Sequence, residues 1–279
     1  MKKKNYHGLI ERALAEDLGT RGDVTSAALF PKKERAVFVL LAKDEGILCG
    51  LGPFSHVFET LDRKAEVETY FKDGDRLKRG EVVARVRAKL RAVLAGERTA
   101  LNLVSHLSGV ATKTSLFVAA AQGKPAILDT RKTIPGLRRL QKYAVACGGG
   151  RNHRMGLHDM ILIKDNHVDA AGSIARAVER ARAKWGKRFP VEVETRNLRE
   201  VEEALAAGVD RIMLDNMDDA TMRRAVVLVG GRVETEASGN ISLERLPALG
   251  AVGVDLVSVG ELTHTVKAFD FSLKRENEA

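Results

Sequence analysis

The chain is poor in cysteine and aromatic residues, and it has no long apolar run. Among its 279 residues there are two cysteines, Cys49 and Cys147. Two thiols so far apart in sequence build neither a disulfide framework nor a zinc pattern, so a reducing cytoplasm is the expected setting. Aromatics make up 5% of the residues. With no recognised nucleic-acid motif either, few rings are available for bases to stack on. No stretch approaches the roughly 18 apolar residues of a membrane span. The basic start MKKKNYHGLIERAL lacks the apolar core of a secretory signal.

What is present is positive charge. The net charge is +9, on a composition that is 44% hydrophobic and 30% charged. That is the profile of a globular protein with anionic partners. The charge is concentrated rather than spread along a face. Residues 126–154 read AILDTRKTIPGLRRLQKYAVACGGGRNHR, with seven Arg or Lys against one Asp. Basic residues directly after apolar strand-like runs point to a pocket for small anions, with no nucleic acid and no membrane as partner.

The length suits one small and one medium domain, each with its own core. HGLIERALAEDL has apolar residues at helical spacing, with Gly19 as a stop. Residues 35–94 alternate in short runs broken by DG and RG, which predicts a small antiparallel sheet, with GPFSHVFETLD as a helix over it. Residues 94–122 read as helical with a break near Gly109. From residue 126 six short apolar strands follow: AILDT, MILIKD, VEVET, RIMLDN, RVETEAS and VDLVSVGE. The amphipathic stretches between the later ones imply βα units and a parallel sheet. The expected fold is therefore α/β, an α+β N-terminal domain followed by an incomplete or unusual parallel α/β barrel, six strands being too few for eight. An open doubly wound sheet is the alternative. The expected boundaries are 1–107 for the first domain, with 266–279 packing on it, and 108–265 for the barrel.

Each strand turns polar at its C-terminal end, and in a barrel those ends converge on one face. Arg131, Lys132, Arg138, His153, Arg154 and Lys164 form a candidate site for carboxylates or phosphates, which charge-assisted donors recognise. Arg139, Lys142 and Arg151 read as solvated surface charges. In VEVET, alternation puts Glu192 and Glu194 on the face opposite Val191 and Val193. Glu194 and Asp215 end adjacent strands, where paired carboxylates suit a hydrated Mg²⁺ or a cationic transition state. Ser238, Gly239 and Asn240, with Val259, Gly260 and Glu261, form polar turns leading into helices, where a phosphate can approach backbone N–H groups. Arg98 in GERTALN reads as a surface charge. His7, His56, His106 and His264 read as packing residues, while His158 and His167 flank the Lys164 strand.

The motifs ERTALN, DTRKTIPGLR, KYAV, GGGRNHR, IKDNH, EVET, MLDN, EASGNI and VDLVSVGELTH, taken in this order, closely resemble those of the quinolinate phosphoribosyltransferase family. The resemblance runs over essentially the whole chain, with Ile134 a small variation. It implies phosphoribosyl transfer from 5-phosphoribosyl 1-diphosphate to quinolinate with decarboxylation, Mg²⁺ as cofactor and a homodimer. By the same match, Arg131, Lys132, His153, Arg154 and Lys164 hold the quinolinate carboxylates, with Thr130 and Arg138 in the same motif. Lys132, Lys164, Glu194 and Asp215 are the catalytic set, with the two carboxylates near ribose and metal. Ser238, Gly239, Asn240 and Gly260 are the phosphate turns, and Arg98 reaches the neighbouring subunit's site. The competing readings are a transferase acting on nicotinate or another heteroaromatic acid, a barrel aldolase using Lys164 or Lys132 as Schiff-base nucleophile, and a nucleic-acid binder.

Overall fold

The computed structural model describes residues 2–276, which divide into two compact units. One unit takes the chain up to Ser115, the segment Ile134–Gly149 and the chain from Thr265 onward; the other takes Leu116–Thr133 and Gly150–His264. The division is therefore not a single cut, and residue 107 lies inside the helix Leu90–Ala120. Residues 277–279, the end of the C-terminal segment expected to pack on the first domain, lie outside the described residues.

In the first unit the alternating run RAVFVLLA forms the strand Arg35–Ala42, with every second side chain buried. It pairs antiparallel with Val82–Lys89 on one side and Phe271–Arg275 on the other, and Glu66–Thr69 completes the four-stranded sheet. Helix Leu51–Leu61 buries Phe54, Val57 and Phe58. The break expected at Gly109 is absent, because one helix runs from Leu90 to Ala120. The glycine serves close packing instead: a Cβ there would stand 2.3 Å from the Lys267 carbonyl oxygen.

One further expectation fails in this unit. Lys142, read as a solvated charge, is fully buried, because helix Arg138–Cys147 is covered on most of its circumference. Arg139 and Arg151 are exposed, as expected. Cys49 and Cys147, distant in sequence, meet as free thiols. Their hydrogen bond, with burial second, pushes the Cys49 thiol up.

The second unit holds a six-stranded parallel sheet in the order Ala126–Leu128, Leu256–Ser258, Glu234–Ser238, Arg211–Asp215, Val191–Thr195, Ile161–Ile163. All six expected strands are present. The helices between the later strands start where the sequence supplies caps. Ser173, Asn197 and Asp218 each accept a backbone N–H from the third residue beyond. Val191 and Val193 are buried on one face of their strand, leaving Glu192 and Glu194 on the other. The turns after the last two strands differ from expectation in one respect. Gly260 directly precedes a short helix, Glu261–His264, but the helix after Ser238 begins only at Leu246. Arg245 holds the intervening loop, donating to the Gly239 carbonyl at 3.2 Å and to Asp219 at 2.8 Å.

Candidate active site

The C-terminal ends of all six strands meet at one cleft of about 810 Å³. Thr130, Arg131 and Lys132 enter it after one edge strand and Lys164 after the other. Both edges deliver residues to a single cavity, so the sheet curls round as an incomplete barrel rather than lying open.

The basic wall consists of Arg131, Lys132, Arg154 and Lys164. Lys132 is held through its backbone: its N–H donates to Thr130 Oγ1 at 3.0 Å, and its carbonyl accepts from Thr263 Oγ1 at 2.7 Å. Gly260 lets it pass, since a Cβ there would stand 2.9 Å from Lys132 Cδ. Arg154 comes from the irregular segment after Arg151. Burial, then the charge of Arg131, pulls its guanidinium below the ordinary value, while Glu192 and Asp159 oppose the shift. A desolvated guanidinium beside a second one is stabilised by a bound anion.

The cleft is also lined by Glu194, Asp215 and Glu261. The Lys164 ammonium is in close contact with Glu194. Asp215 is oriented by its neighbour, because Asn216 Nδ2 donates to Asp215 Oδ2 at 2.6 Å. Asn216 itself adopts a left-handed backbone with φ 52° and donates its N–H to the Ser238 carbonyl at 2.9 Å. Its side chain lies against Gly239, where a Cβ would approach Asn216 Oδ1 to 2.1 Å. Asn240 is also left-handed, with φ 51°. Two non-glycine residues in this sparsely populated region line the same cleft, a common mark of functional turns.

Below the rim lies a buried layer. Glu192 and Glu236 are fully buried. Arg211 Nη1 lies 3.3 Å from Glu236 and 3.9 Å from Glu192, and His153 Nε2 lies 3.2 Å from Glu192 and 3.5 Å from Glu236. Burial pushes Glu192 up to about 7, against the charges of Arg211, Arg154 and Lys164. Burial, and then the charge of Glu192, pushes Glu236 up to about 8.

Most of the candidate residues therefore share one cleft: Thr130, Arg131, Lys132, His153, Arg154, Lys164, Glu194, Asp215, Ser238, Gly239, Asn240, Gly260 and Glu261. Three stand elsewhere. Val259 is buried and donates its N–H to the Leu128 carbonyl at 2.9 Å. Arg138 opens a helix of the other unit, and Arg98 is an exposed residue of the long helix. His153 lines the cleft, yet its side chain is 6% exposed and faces protein on both ring nitrogens. His264, read as a packing residue, lines the cleft. His167 does not; its Nδ1 accepts the Lys164 N–H at 3.0 Å. Asn216 and Met213 were missed as site residues, although both lie in the RIMLDN strand end that supplied Asp215.

Two family descriptions match the chain: quinolinate phosphoribosyl transferase, N-terminal domain, over residues 23–108, and the C-terminal domain of the same enzyme over residues 110–274. The chain belongs to the quinolinate phosphoribosyl transferase family. It is 45% identical over 266 residues to a probable nicotinate-nucleotide pyrophosphorylase [carboxylating] of Bacillus subtilis, covering 95% of this chain and 91% of that one. A chloroplastic nicotinate-nucleotide pyrophosphorylase [carboxylating] of Arabidopsis thaliana is also 45% identical, over 97% of this chain and 82% of its own. Among solved structures, NadC from Streptococcus pyogenes superposes with a TM-score of 0.95 at 41% identity, covering 99% of both chains. The six-stranded parallel sheet with its helices, and the small antiparallel sheet of the first unit, are thus the fold of this family.

Proposed function

We infer that the chain transfers the phosphoribosyl group of 5-phosphoribosyl 1-diphosphate to quinolinate with loss of CO₂, giving nicotinate mononucleotide and diphosphate. The observation that carries this reading is the cleft itself. Four cationic side chains from both edges of the barrel face two carboxylates and two small-residue turns in one cavity. An aromatic dicarboxylate needs the first group, a developing ribosyl cation the second, and phosphates the third.

The chemistry is positioning and electrostatics. Arg131, Lys132 and Arg154 bind the two carboxylates and aim the pyridine nitrogen at the ribose C1. As the C1–O bond to diphosphate breaks, positive charge develops at C1, and Glu194 and Asp215 stabilise it. The nitrogen lone pair closes the new C–N bond. The quaternised ring then accepts the electron pair of the C2–carboxylate bond, CO₂ departs, and a proton takes its place at C2. Ser238, Gly239, Asn240 and Gly260 hold phosphate through short turns with little steric bulk. Glu194 and Asp215 offer hard oxygen donors at the cleft, which fits a Mg²⁺ that keeps most of its waters; when bound it supplies charge neutralisation for the diphosphate oxygens.

The Schiff-base alternative finds no support in the family match, and Lys164 is in close contact with Glu194. The family match argues against a nucleic-acid binder.

The active form in this reading is a homodimer in which Arg98, exposed on its helix, completes the partner's cleft. Mixing inactive Arg98→Ala subunits with inactive Lys132→Ala subunits tests it, since each mixed dimer then regains one intact site. No recovery after subunit exchange would remove Arg98 from the site. No helix among the described residues is long and apolar enough to cross a membrane, and the proposed location is the cytoplasm.

The deciding experiment is a product assay with quinolinate and, in parallel, nicotinate, each with 5-phosphoribosyl 1-diphosphate and Mg²⁺. Nicotinate mononucleotide and CO₂ from quinolinate alone is the expected result. Product from nicotinate alone would keep the fold and the phosphate turns but overturn the dicarboxylate site.

A further inference from the structure

Arg154 has a precise task, yet it sits on a stretch with no regular secondary structure: between the Arg151 bridge and the strand at Ile161 there is neither helix nor strand. Something other than a backbone ladder must fix it. The residue before it supplies the anchor. The His153 N–H donates to the fully buried carboxylate of Asp129 at 2.9 Å. The His153 ring then turns back on the chain, and its Nδ1 accepts the Arg154 N–H at 2.7 Å. A ring nitrogen that accepts carries a lone pair, so the ring proton resides on Nε2. Nε2 points down into the barrel at Glu192 Oε2 and Glu236 Oε1, 3.2 and 3.5 Å away.

We propose that Glu192 and Glu236 are positioning residues for substrate binding: together they hold His153 in its Nε2–H tautomer, and His153 in turn fixes Arg154 at the cleft. Neither carboxylate lines the cavity. Both are fully buried, and Glu192 Oε1 and Oε2, Glu236 Oε1 and His153 Nε2 make no hydrogen bond of full geometry, so the ring and the two acids meet as close polar neighbours at 3.2 and 3.5 Å. Arg211 is a cation within reach of both, at 3.3 Å from Glu236 and 3.9 Å from Glu192. Two acidic side chains thus face one guanidinium and one imidazole N–H. Were the ring to flip tautomer, Nδ1–H would confront the Arg154 N–H, and Nε2 would no longer offer its proton to either acid. The first contact would turn repulsive and the second would be lost, which is why the ring's surroundings specify one state.

His153, Glu192 and Glu236 are also close enough to hold a metal ion. The Arg154 N–H contact argues against it, because a metal at Nε2 requires the proton to move to Nδ1, where that N–H already points. The cationic Arg211 in the same cluster opposes a metal as well.

The inference rests on the proposed reaction only for its kinetic half, and two readouts keep the halves apart. First, protein labelled with ring-¹⁵N histidine is studied by long-range ¹H–¹⁵N correlation, the His153 signals being assigned by their loss in His153→Asn. The expected wild-type pattern is a protonated Nε2 and an unprotonated Nδ1, unchanged by added zinc or magnesium. Glu192→Gln and Glu236→Gln, singly and combined, are expected to shift the ring toward a mixture of tautomers. Second, the same variants are expected to raise KM for quinolinate about ten-fold, leaving KM for 5-phosphoribosyl 1-diphosphate near the wild-type value. Protonated Nδ1 in the wild type, or a metal-dependent loss of the Nε2–H signal, would overturn the proposal whatever the enzyme's substrate. Equal losses for both substrates would also overturn it, since that pattern marks general structural damage. A conserved tautomer pattern with no activity on quinolinate would instead refute the reaction and leave the ring assignment standing.

Discussion

The barrel interior contains two layers that spend the same residue types differently. At the rim, Lys164 faces Glu194 and Asp215 stands against Asn216, with all four reaching the cleft. Deeper in the sheet, Glu192, two residues before Glu194, and Glu236, two residues before Ser238, are fully buried around Arg211 and His153. The rim charges keep part of their hydration, so a ligand can replace their water or their partner at modest cost. The buried charges have no such exchange available. Their value lies in holding one arrangement, and breaking one member leaves its partners stranded in low dielectric. The comparison shows why a list of charged residues near a site says little until depth is known: Glu192 and Glu194 are neighbours on one strand face, yet one is sealed against His153 while the other lines the cleft.

The largest expected effect comes from the rim cations. Lys132→Ala or Arg154→Ala is expected to raise KM for quinolinate by about 100-fold or more, with little change in thermal stability. Steady-state kinetics with each substrate varied separately would check it, and unchanged quinolinate kinetics in both would remove the basic wall as the dicarboxylate site. Next are the rim carboxylates. Glu194→Gln and Asp215→Asn are expected to lower kcat by about 100-fold, more than they change KM, because the charge they stabilise is greatest in the transition state. A change confined to KM would make them ground-state contacts instead. A smaller effect is expected from Gly239→Ala, whose Cβ would press on Asn216 Oδ1 at 2.1 Å in a backbone with φ +92°. It is expected to raise KM for 5-phosphoribosyl 1-diphosphate by about ten-fold while sparing quinolinate binding.

The smallest effect is a pH dependence of stability carried by the buried layer. Glu236 is raised from 4.5 to about 8, chiefly by burial, and Glu192 to about 7. A carboxyl whose folded value lies above its unfolded one binds more protons in the native state. Its contribution is therefore fully present below about pH 4.5 and is lost as pH rises towards about 8. Thermal melts across that window are expected to show stability declining with pH, and Glu236→Gln, which cannot ionise, is expected to flatten the decline. His153, Arg211 and Glu192 face the same group and bound the size of the effect. An equal slope in wild type and variant would place the titration elsewhere.

The sequence by itself determined the periodic parts of this protein and the residue types at the strand ends. Six apolar runs, capped helices after Ser173, Asn197 and Asp218, and the charged motifs that follow each strand all depend on local patterns, and local patterns survive in one dimension. The family was legible for the same reason, since its motifs are short and ordered along the chain. Tertiary structure decided depth, neighbours and direction. Alternation placed Glu192 and Glu194 on one face but could not say which was sealed beneath the other, because that depends on what the remaining strands bring above it. Lys142 read as surface on a helix that proved to be covered on most sides, and Gly109 read as a break where the chain from Thr265 onward comes close enough to exclude a Cβ. Cys49 and Cys147 became partners only when the chain folded. His153 was legible as a cleft residue, but the direction of its ring, towards the carboxylates below and the Arg154 N–H beside it, is set by groups from three separate segments that meet only in the folded barrel.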